Sequence, residues 1–249
     1  METAADKIFS FKEYPSQFPE EFIKLRVSGK NSSKYFINEN SDYILYFEFI
    51  EDFKELPSEI QEYLKENKKS LKDRATVKNE GRTWWRYSRP MHKEYYTLPK
   101  LFCSRRASKN AFSIDEGFNF LSFSNMTVIF ETNDKISLKY VLTLFNSKLL
   151  NFRYKSIGKQ TGGGIYEYFP NGVSKLPIPE ITWDKQKSFI ELANKMTQLN
   201  KKIANAKSPH EKKLIEKQII STDKKIDKAV YELYELNDEE TKIIEDFFE

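Results

Sequence analysis

The chain has 249 residues, of which 39% are hydrophobic, 15% aromatic and 31% charged, and its net charge is +4. This length and composition are typical of a folded globular protein with its own core, and they exclude an intrinsically disordered chain. Cys103 is the only cysteine, so an internal disulfide is excluded, and the sequence shows neither a signal peptide nor an apolar run of membrane-spanning length. We therefore expect a cytoplasmic protein with no membrane partner.

The first half of the chain predicts mixed α and β structure. The run at 42–50 is aromatic and β-branched, which predicts a strand. Residues 56–75 begin with a proline and a serine and keep apolar residues at helical spacing, which predicts a helix. The alternating and then apolar run at 118–132 predicts one or two strands of a small sheet.

Positive charge is concentrated at 82–109, which we call the basic segment. It contains eight Lys and Arg residues against one acid, a net of +7, and five of the eight arginines of the chain. Basic groups neutralise phosphates, aromatic rings stack on bases, and the planar guanidinium pairs with guanine or phosphate, so we predict nucleic-acid contact here. The candidate residues are Arg82, Trp84, Trp85, Arg86, Arg89, Lys100, Arg105, Arg106 and Lys109.

The alternative for the basic segment is a strand pair whose aromatic residues belong to the core and whose charges form a solvated face. For any single aromatic residue of the segment, including Tyr87 and Tyr96, we favour a core position. His92 is expected to be solvated or to lie near DNA. Cys103 has no evident base beside it, which indicates a buried structural cysteine.

A predicted helix at 137–156 leads into a glycine-rich loop. Four of the eight glycines lie at 158–164, and no acid occurs between Asn146 and Ile165. Such a loop suits a polyanion, although a flexible connector is the alternative. It lacks the GxxxxGK[ST] and GxGxxG patterns, which argues against nucleotide hydrolysis and dinucleotide binding. The candidate DNA contacts near this loop are Lys155, Lys159, Gln160 and Thr161.

The last part of the chain predicts two long helices packed as an antiparallel hairpin. Apolar residues recur at helical spacing on both sides of the sequence SPHE at 208–211, which predicts a helix break and a new cap. The second set has the near-heptad spacing of a coiled coil. The first set is Phe189, Leu192, Ala193, Met196, Leu199 and Ile203, and the second is Ile215, Ile219, Thr222, Ile226, Val230 and Leu233.

Several segments follow one another in an order and spacing that known proteins share. They are YYTLPKLFCSRRASKNAF at 95–112, LFNSKLLNF at 144–152, GGGIYEYFPNGVSKLPIPEI at 162–181 and KKIDKAVYELYELNDEETKIIE at 224–245. Together they resemble the C-terminal specificity domain of TaqI-like adenine methyltransferases and fused restriction–methylation enzymes. The resemblance implies recognition of double-stranded DNA on behalf of a catalytic domain, with the target adenine flipped out of the duplex.

Catalytic motifs are missing from the sequence. The resembled methyltransferases would show an Asn-Pro-Pro-aromatic motif and a glycine-rich S-adenosylmethionine loop, and two histidines with one cysteine are too few for a zinc site. We therefore expect no cofactor in this chain, and the resemblance implies S-adenosylmethionine and Mg²⁺ only for catalytic domains outside it. Three alternatives stay open, which are a half-length type I specificity subunit, a metal-dependent nuclease and a coiled-coil scaffold without a nucleic-acid role.

These observations together predict an α+β fold. A mixed α/β body with a small β-sheet at 1–180 would recognise a DNA sequence, and a long helical hairpin at 181–249 would dock onto a methyltransferase or nuclease domain or subunit. The chain would be either the excised C-terminal part of such an enzyme or a stand-alone specificity subunit.

Overall fold

The computed structural model describes residues 6–89, 93–95, 97–117, 119–122, 125–130 and 134–248. Helices account for 48% and short strands for 16% of the structure, which confirms the predicted α+β class with a helical hairpin. The chain divides into two compact units, which we describe separately. The first comprises Met1–Ser28, Glu39–Thr97 and Phe118–Ser124, and the second Gly29–Asn38, Leu98–Gly117 and Asn125–Glu249. The proposed division of roles at residue 180, which lies within the second unit, stays a prediction.

The regular elements of the described residues are as follows, apart from short 3₁₀ turns. The strands are β1 (Ser10–Phe11), β2 (Ile23–Arg26), β3 (Ser32–Ser33), β4 (Phe36–Ile37), β5 (Tyr43–Leu45), β6 (Lys100–Ser104), β7 (Arg106–Ala107), β8 (Phe112–Asp115), β9 (Phe120–Leu121), β10 (Met126–Phe130), β11 (Gln160–Gly162) and β12 (Ile165–Glu167). The helices are α1 (Ser58–Glu66), α2 (Lys68–Lys72), α3 (Ala75–Lys78), α4 (Leu138–Asn146), α5 (Lys148–Ile157), α6 (Pro170–Val173), α7 (Trp183–Asn205), α8 (Pro209–Leu233) and α9 (Asp238–Phe247).

The first unit contains a four-stranded sheet of order β1-β5-β2-β9, in which β2 and β9 are parallel and the other pairs antiparallel. The predicted strand at 42–50 is confirmed only for Tyr43–Leu45. The predicted helix at 56–75 forms α1 and α2, and its apolar positions Ile60, Leu64 and Leu71 are buried as their spacing indicates. A break separates the two helices at Asn67, whose side-chain amide donates to the Tyr63 carbonyl at 2.9 Å.

The second unit contains two three-stranded antiparallel sheets, of order β10-β6-β8 and β11-β12-β7, and the small pair β3-β4. One hydrophobic core joins the inner faces of β6 and β8 to α4, α5, α7 and α8. Cys103 of β6 belongs to this core, as predicted. Burial raises the pKa of its thiol, which therefore stays protonated and unreactive near neutral pH.

The helix predicted at 137–156 is two helices, α4 and α5, because the backbone turns at Ser147. Ser147 has φ −71° and ψ 160°, and its hydroxyl accepts from the backbone N–H of Leu150 at 3.2 Å. The carboxylate of Asp227 in α8 accepts a hydrogen bond from the backbone N–H of Lys148, the first residue of α5, at 2.8 Å. After this break, Leu150 and Tyr154 of α5 are buried in the core of the second unit.

Helices α7 and α8 form the predicted hairpin, and the two predicted apolar stripes face the core. The hairpin also packs on the body, because the ring of Phe189 in α7 lies 5.3 Å from that of Tyr140 in α4. Sequence analysis missed α9, although its capping box, in which Asn237 and Glu240 satisfy each other's backbone N–H, was visible as an Asn-x-x-Glu pattern. In the part of the chain that the structure describes, no helix combines the length and hydropathy needed to cross a bilayer.

Candidate nucleic-acid interface

The basic segment divides between the two units, and its first part is neutralised within the first unit. Arg89 forms a bidentate pair with Glu80, at 2.5 and 3.0 Å, and Arg82 approaches the same carboxylate at 3.4 Å. The pairing with Arg89 lowers the pKa of Glu80. The ammonium of Lys93 donates to one carboxylate oxygen of Glu51, and this hydrogen bond lowers the pKa of Glu51. Acids outside the segment therefore cancel much of the charge that its sequence displays.

Arg86 is a structural residue of the first unit. Its guanidinium donates to the backbone carbonyls of Glu48, at 3.3 Å, and of Ile50, and lies 4.5 Å from the centre of the Trp85 ring. Trp85 is itself buried against Phe47, which agrees with the core position favoured for single aromatic residues. Tyr87 is buried too.

Trp84 is partly buried, with its ring 5.5 Å from that of Phe53 and the ammonium of Lys68 at 5.0 Å. The predictions made for His92 and Tyr96 lie outside the described residues.

Lys100 belongs to the core of the second unit. Its side chain is 0% exposed, and its ammonium pairs with the buried carboxylate of Asp115 at 3.1 Å on the neighbouring strand. A buried ion pair of this kind is costly to break, because each charge would lose its partner without gaining water. This burial corrects the sequence-based assignment of Lys100 to an exposed DNA surface.

The glycine-rich loop is a β-hairpin formed by β11 and β12. Gly162, Gly163 and Gly164 lie at its turn with φ values of 103°, 58° and 73°, and beyond their chain neighbours no atom of the described residues lies within 4 Å of where their Cβ atoms would be. This backbone conformation favours glycine, and the tip of the hairpin is open to a close approach. Strand β12 also pairs with β7, placing Glu167 opposite Arg106. The β7/β11/β12 sheet thus joins the glycine-rich loop to the end of the basic segment.

One carboxylate lies between two exposed cations of the β7/β11/β12 sheet. Glu167 is 3.0 Å from the ammonium of Lys159 and 3.5 Å from the guanidinium of Arg106. The exposed fraction of the side chain is 10% for Glu167, 68% for Arg106 and 76% for Lys159. The hydrogen bond from Lys159 is the main cause that lowers the pKa of Glu167, so its carboxylate is charged at neutral pH.

Arg105 differs from its neighbour Arg106 because, among the described residues, no carboxylate pairs with it. Its backbone is held on both sides, since its N–H donates to Asn125 at 3.0 Å and its carbonyl accepts from Tyr168 at 2.9 Å. The guanidinium lies over the ring of Phe169, 5.4 Å from its centre, and the buried Nε has no hydrogen-bond partner among the described residues. Arg105 therefore offers a positioned, unpaired cation beside the hairpin.

A family model for the TaqI-like C-terminal specificity domain matches residues 25–178 of the chain, which is more than half of it. The chain belongs to this family. The match confirms the resemblance inferred from the sequence, and it assigns the chain to the DNA-recognition modules of restriction–modification enzymes. No curated protein matches the chain.

The β7/β11/β12 sheet of this specificity domain lies within the matched residues, whereas α7, α8 and α9 lie beyond them. Gln160 and Thr161 of β11 are exposed, and so is Lys109. Lys155 has a different environment from Lys159, because its ammonium lies 5.3 Å from the centre of the Phe247 ring and 5.7 Å from that of Phe248.

Sequence analysis missed the residues that hold the β11/β12 hairpin of the specificity domain in place. Tyr154 of α5 stacks on Tyr168 at 4.2 Å, and its hydroxyl donates to the carbonyl of Glu167 at 2.5 Å. The hydroxyl of Tyr168 donates to Asn110 at 2.9 Å. Gly158 permits this packing, since a Cβ there would lie 2.8 Å from the Tyr154 ring. No motif in a single sequence marks these tyrosines as supports, because their partners come from distant segments.

Groups of three or more His, Cys, Asp or Glu side chains suited to a metal ion do not occur in the described part of the specificity domain.

Proposed function

We propose that this specificity domain binds a particular double-stranded DNA sequence through the β7/β11/β12 sheet and directs adenine methylation or cleavage by a catalytic domain or subunit. The observation that carries the proposal is the grouping of Arg106 in β7 with Arg105 and Lys159, which immediately precede β7 and β11, beside an open glycine tip. A two-stranded ribbon fits the major groove of B-DNA, where each base pair presents a distinct set of hydrogen-bonding groups. By contrast, Arg86 and Arg89 of the first unit pair with the carboxylates of Glu48 and Glu80.

The environments of the basic residues support different kinds of DNA contact for different residues. Arg106 and Lys159 are long, exposed side chains at the surface of the sheet, which suits contacts with phosphate. Arg105 has a fixed backbone and an unpaired guanidinium fork, which suits bidentate contact with the O6 and N7 atoms of guanine. Gln160, Thr161 and Lys109 would add contacts at the margin of the sheet.

The helical hairpin completes the proposal as the surface that docks onto the catalytic domain or subunit. Leu214 and Ile220 of α8 remain more than half exposed, which supports a contact surface on this helix. S-adenosylmethionine and Mg²⁺ would be bound by that partner, and the assembly would act on DNA in the cytoplasm.

Selection of bound sequences from a randomised duplex pool tests the proposed function. We expect the chain to enrich one short sequence and to bind it with an affinity that falls as salt rises. The variant Arg105→Ala should lose the enrichment, whereas Lys201→Ala, which removes an exposed cation of α7, should keep it. The absence of both enrichment and salt-dependent binding in the unmodified chain would refute the proposal. Cleavage of plasmid DNA by the pure chain with Mg²⁺ would instead favour the nuclease alternative.

A further inference from the structure

The β7/β11/β12 sheet contains a single acid where a DNA-binding surface would be expected to be uniformly positive. Glu167 lies in the central strand, opposite Arg106 in register, and its backbone N–H donates to the carbonyl of Lys159 at 2.9 Å. The three side chains therefore form a row in which one negative charge is shared by two positive charges. A cross-strand row of alternating charge stabilises a sheet only modestly, so stability alone is a weak reason for it.

We propose that Glu167 is a built-in competitor for DNA phosphate at Arg106 and Lys159, and that it limits the affinity of the domain for DNA of any sequence. This inference rests on the proposed function of the sheet. It assigns a role to an acidic residue that does not itself attract DNA.

The geometry makes the carboxylate the fixed member of the row and the two cations the movable ones. The side chain of Glu167 is nearly covered, and its carbonyl is held by the hydroxyl of Tyr154. Arg106 and Lys159 are mostly exposed, so each can swing from the carboxylate to a phosphate. A phosphate that approaches them must displace or share the ion pairs with Glu167.

The carboxylate of Glu167 keeps its negative charge near neutral pH. The two neighbouring cations lower the pKa of Glu167, so its carboxylate stays ionised. The competition consequently acts on every duplex, whereas base contacts from Arg105 act only on the target sequence. A lower general affinity shortens the time that a sequence-specific domain spends on non-target DNA.

The decisive variant is Glu167→Gln, which removes the charge while keeping the size of the side chain. Its affinity should be measured over a range of salt concentrations, with the selected target duplex and with a scrambled duplex. We expect affinity to rise about threefold or more for both duplexes, and the salt dependence to steepen by about one counterion. The matched control is Glu232→Gln, because Glu232 forms an exposed ion pair with Lys228 on α8 and the charge change is identical.

A second measurement separates this role from a purely structural one. Glu167→Gln combined with Arg106→Ala and Lys159→Ala should bind DNA no more tightly than the variant with the two alanines alone. Thermal unfolding of each variant shows whether the fold is retained. If the folded Glu167→Gln chain binds both duplexes with unchanged affinity and salt dependence, the inference fails.

Other outcomes have distinct meanings. A loss of affinity for the target duplex only would show that Glu167 contacts a base, which also overturns the inference. If Arg106→Ala and Lys159→Ala weaken binding while Glu167→Gln has no effect, the proposed function stands and only the competitor role is lost. If the two alanine variants have no effect on salt-dependent binding, the proposed DNA surface fails together with the inference.

Discussion

Arg106 and Glu167 lie opposite each other in the antiparallel pair of β7 and β12, with Nη2 of the arginine 3.5 Å from Oε1 of the glutamate. This pair joins two segments that the sequence separates by β8, β9, β10, α4 and α5. The strand register thus brings the end of the basic segment beside the glycine-rich hairpin. Arg106 from the basic segment and Lys159, Gln160 and Thr161 from the glycine-rich loop thereby become neighbours in the second unit.

Arg105→Lys should relax sequence preference at one base position while leaving general affinity nearly unchanged. Lysine keeps the positive charge and loses the planar fork, and each good bidentate contact is worth about 1–3 kcal/mol of discrimination, or roughly fivefold to 150-fold. Competition binding with duplexes that differ from the selected target by single base pairs measures this effect. Equal discrimination in the two proteins would show that Arg105 does not contact a base.

Lys159→Ala should weaken binding to target and scrambled duplexes alike, because a phosphate contact carries no sequence information. The slope of log affinity against log salt should fall in magnitude by about 0.9. Lys155→Ala provides an informative comparison, since its ammonium lies over Phe247 and Phe248 and we expect a smaller effect on DNA binding. An unchanged slope for Lys159→Ala would exclude Lys159 from the phosphate contacts.

Ile226→Asp should destabilise the second unit by about 3–5 kcal/mol, because it places an unpaired charge at a fully buried position of α8. Ile220→Asp on the same helix is the matched control, since Ile220 is 58% exposed and the same substitution there should cost little. Denaturant unfolding followed by far-UV circular dichroism measures both. Similar stabilities would contradict the predicted helix–helix core.

Asp227→Asn should stabilise the protein at neutral pH and lose this advantage in acid. Burial raises the pKa of Asp227 to about 6, well above the usual value of 3.8 for an aspartate. The protonated carboxyl of Asp227 therefore contributes fully to stability below about pH 4, and this contribution is lost as the pH rises through about 6. Asparagine removes the buried charge and keeps an oxygen to accept from the N–H of Lys148. Thermal unfolding of both proteins from pH 4 to pH 8 should show their difference growing with pH, by roughly 2 kcal/mol.

The chain incubated with S-adenosylmethionine and target DNA should transfer no methyl group, because the motifs for cofactor and adenine are missing from its sequence. Incorporation of a labelled methyl group into DNA measures this activity. Turnover by a pure preparation would contradict the proposed role as a recognition module that depends on a separate catalytic domain.

Several features of the specificity domain follow from local sequence. The stripes from Phe189 to Ile203 and from Ile215 to Leu233 predicted the helical hairpin, because helical periodicity is a property of neighbouring residues. The order of the short motifs was sufficient to identify the family. The glycines at 162–164 indicated unusual backbone, although their sequence did not show that the chain forms a hairpin around them.

Other features were decided by tertiary structure, because they depend on partners that are distant along the chain. A net charge counted along residues 82–109 omits Glu80, Glu51 and Glu48, which neutralise Arg89, Lys93 and Arg86 in the folded first unit. The burial of Lys100 with Asp115 likewise follows from the pairing of β6 and β8.

The sequence by itself determined the fold class, the family and the pool of cationic residues. Only the tertiary structure decided which of these cations has no carboxylate partner among the described residues, such as Arg105, and which of them share an acid, such as Arg106 and Lys159. The physical reason is that Coulomb interactions and burial act over a few ångströms in space, and strand register sets those distances independently of separation along the chain.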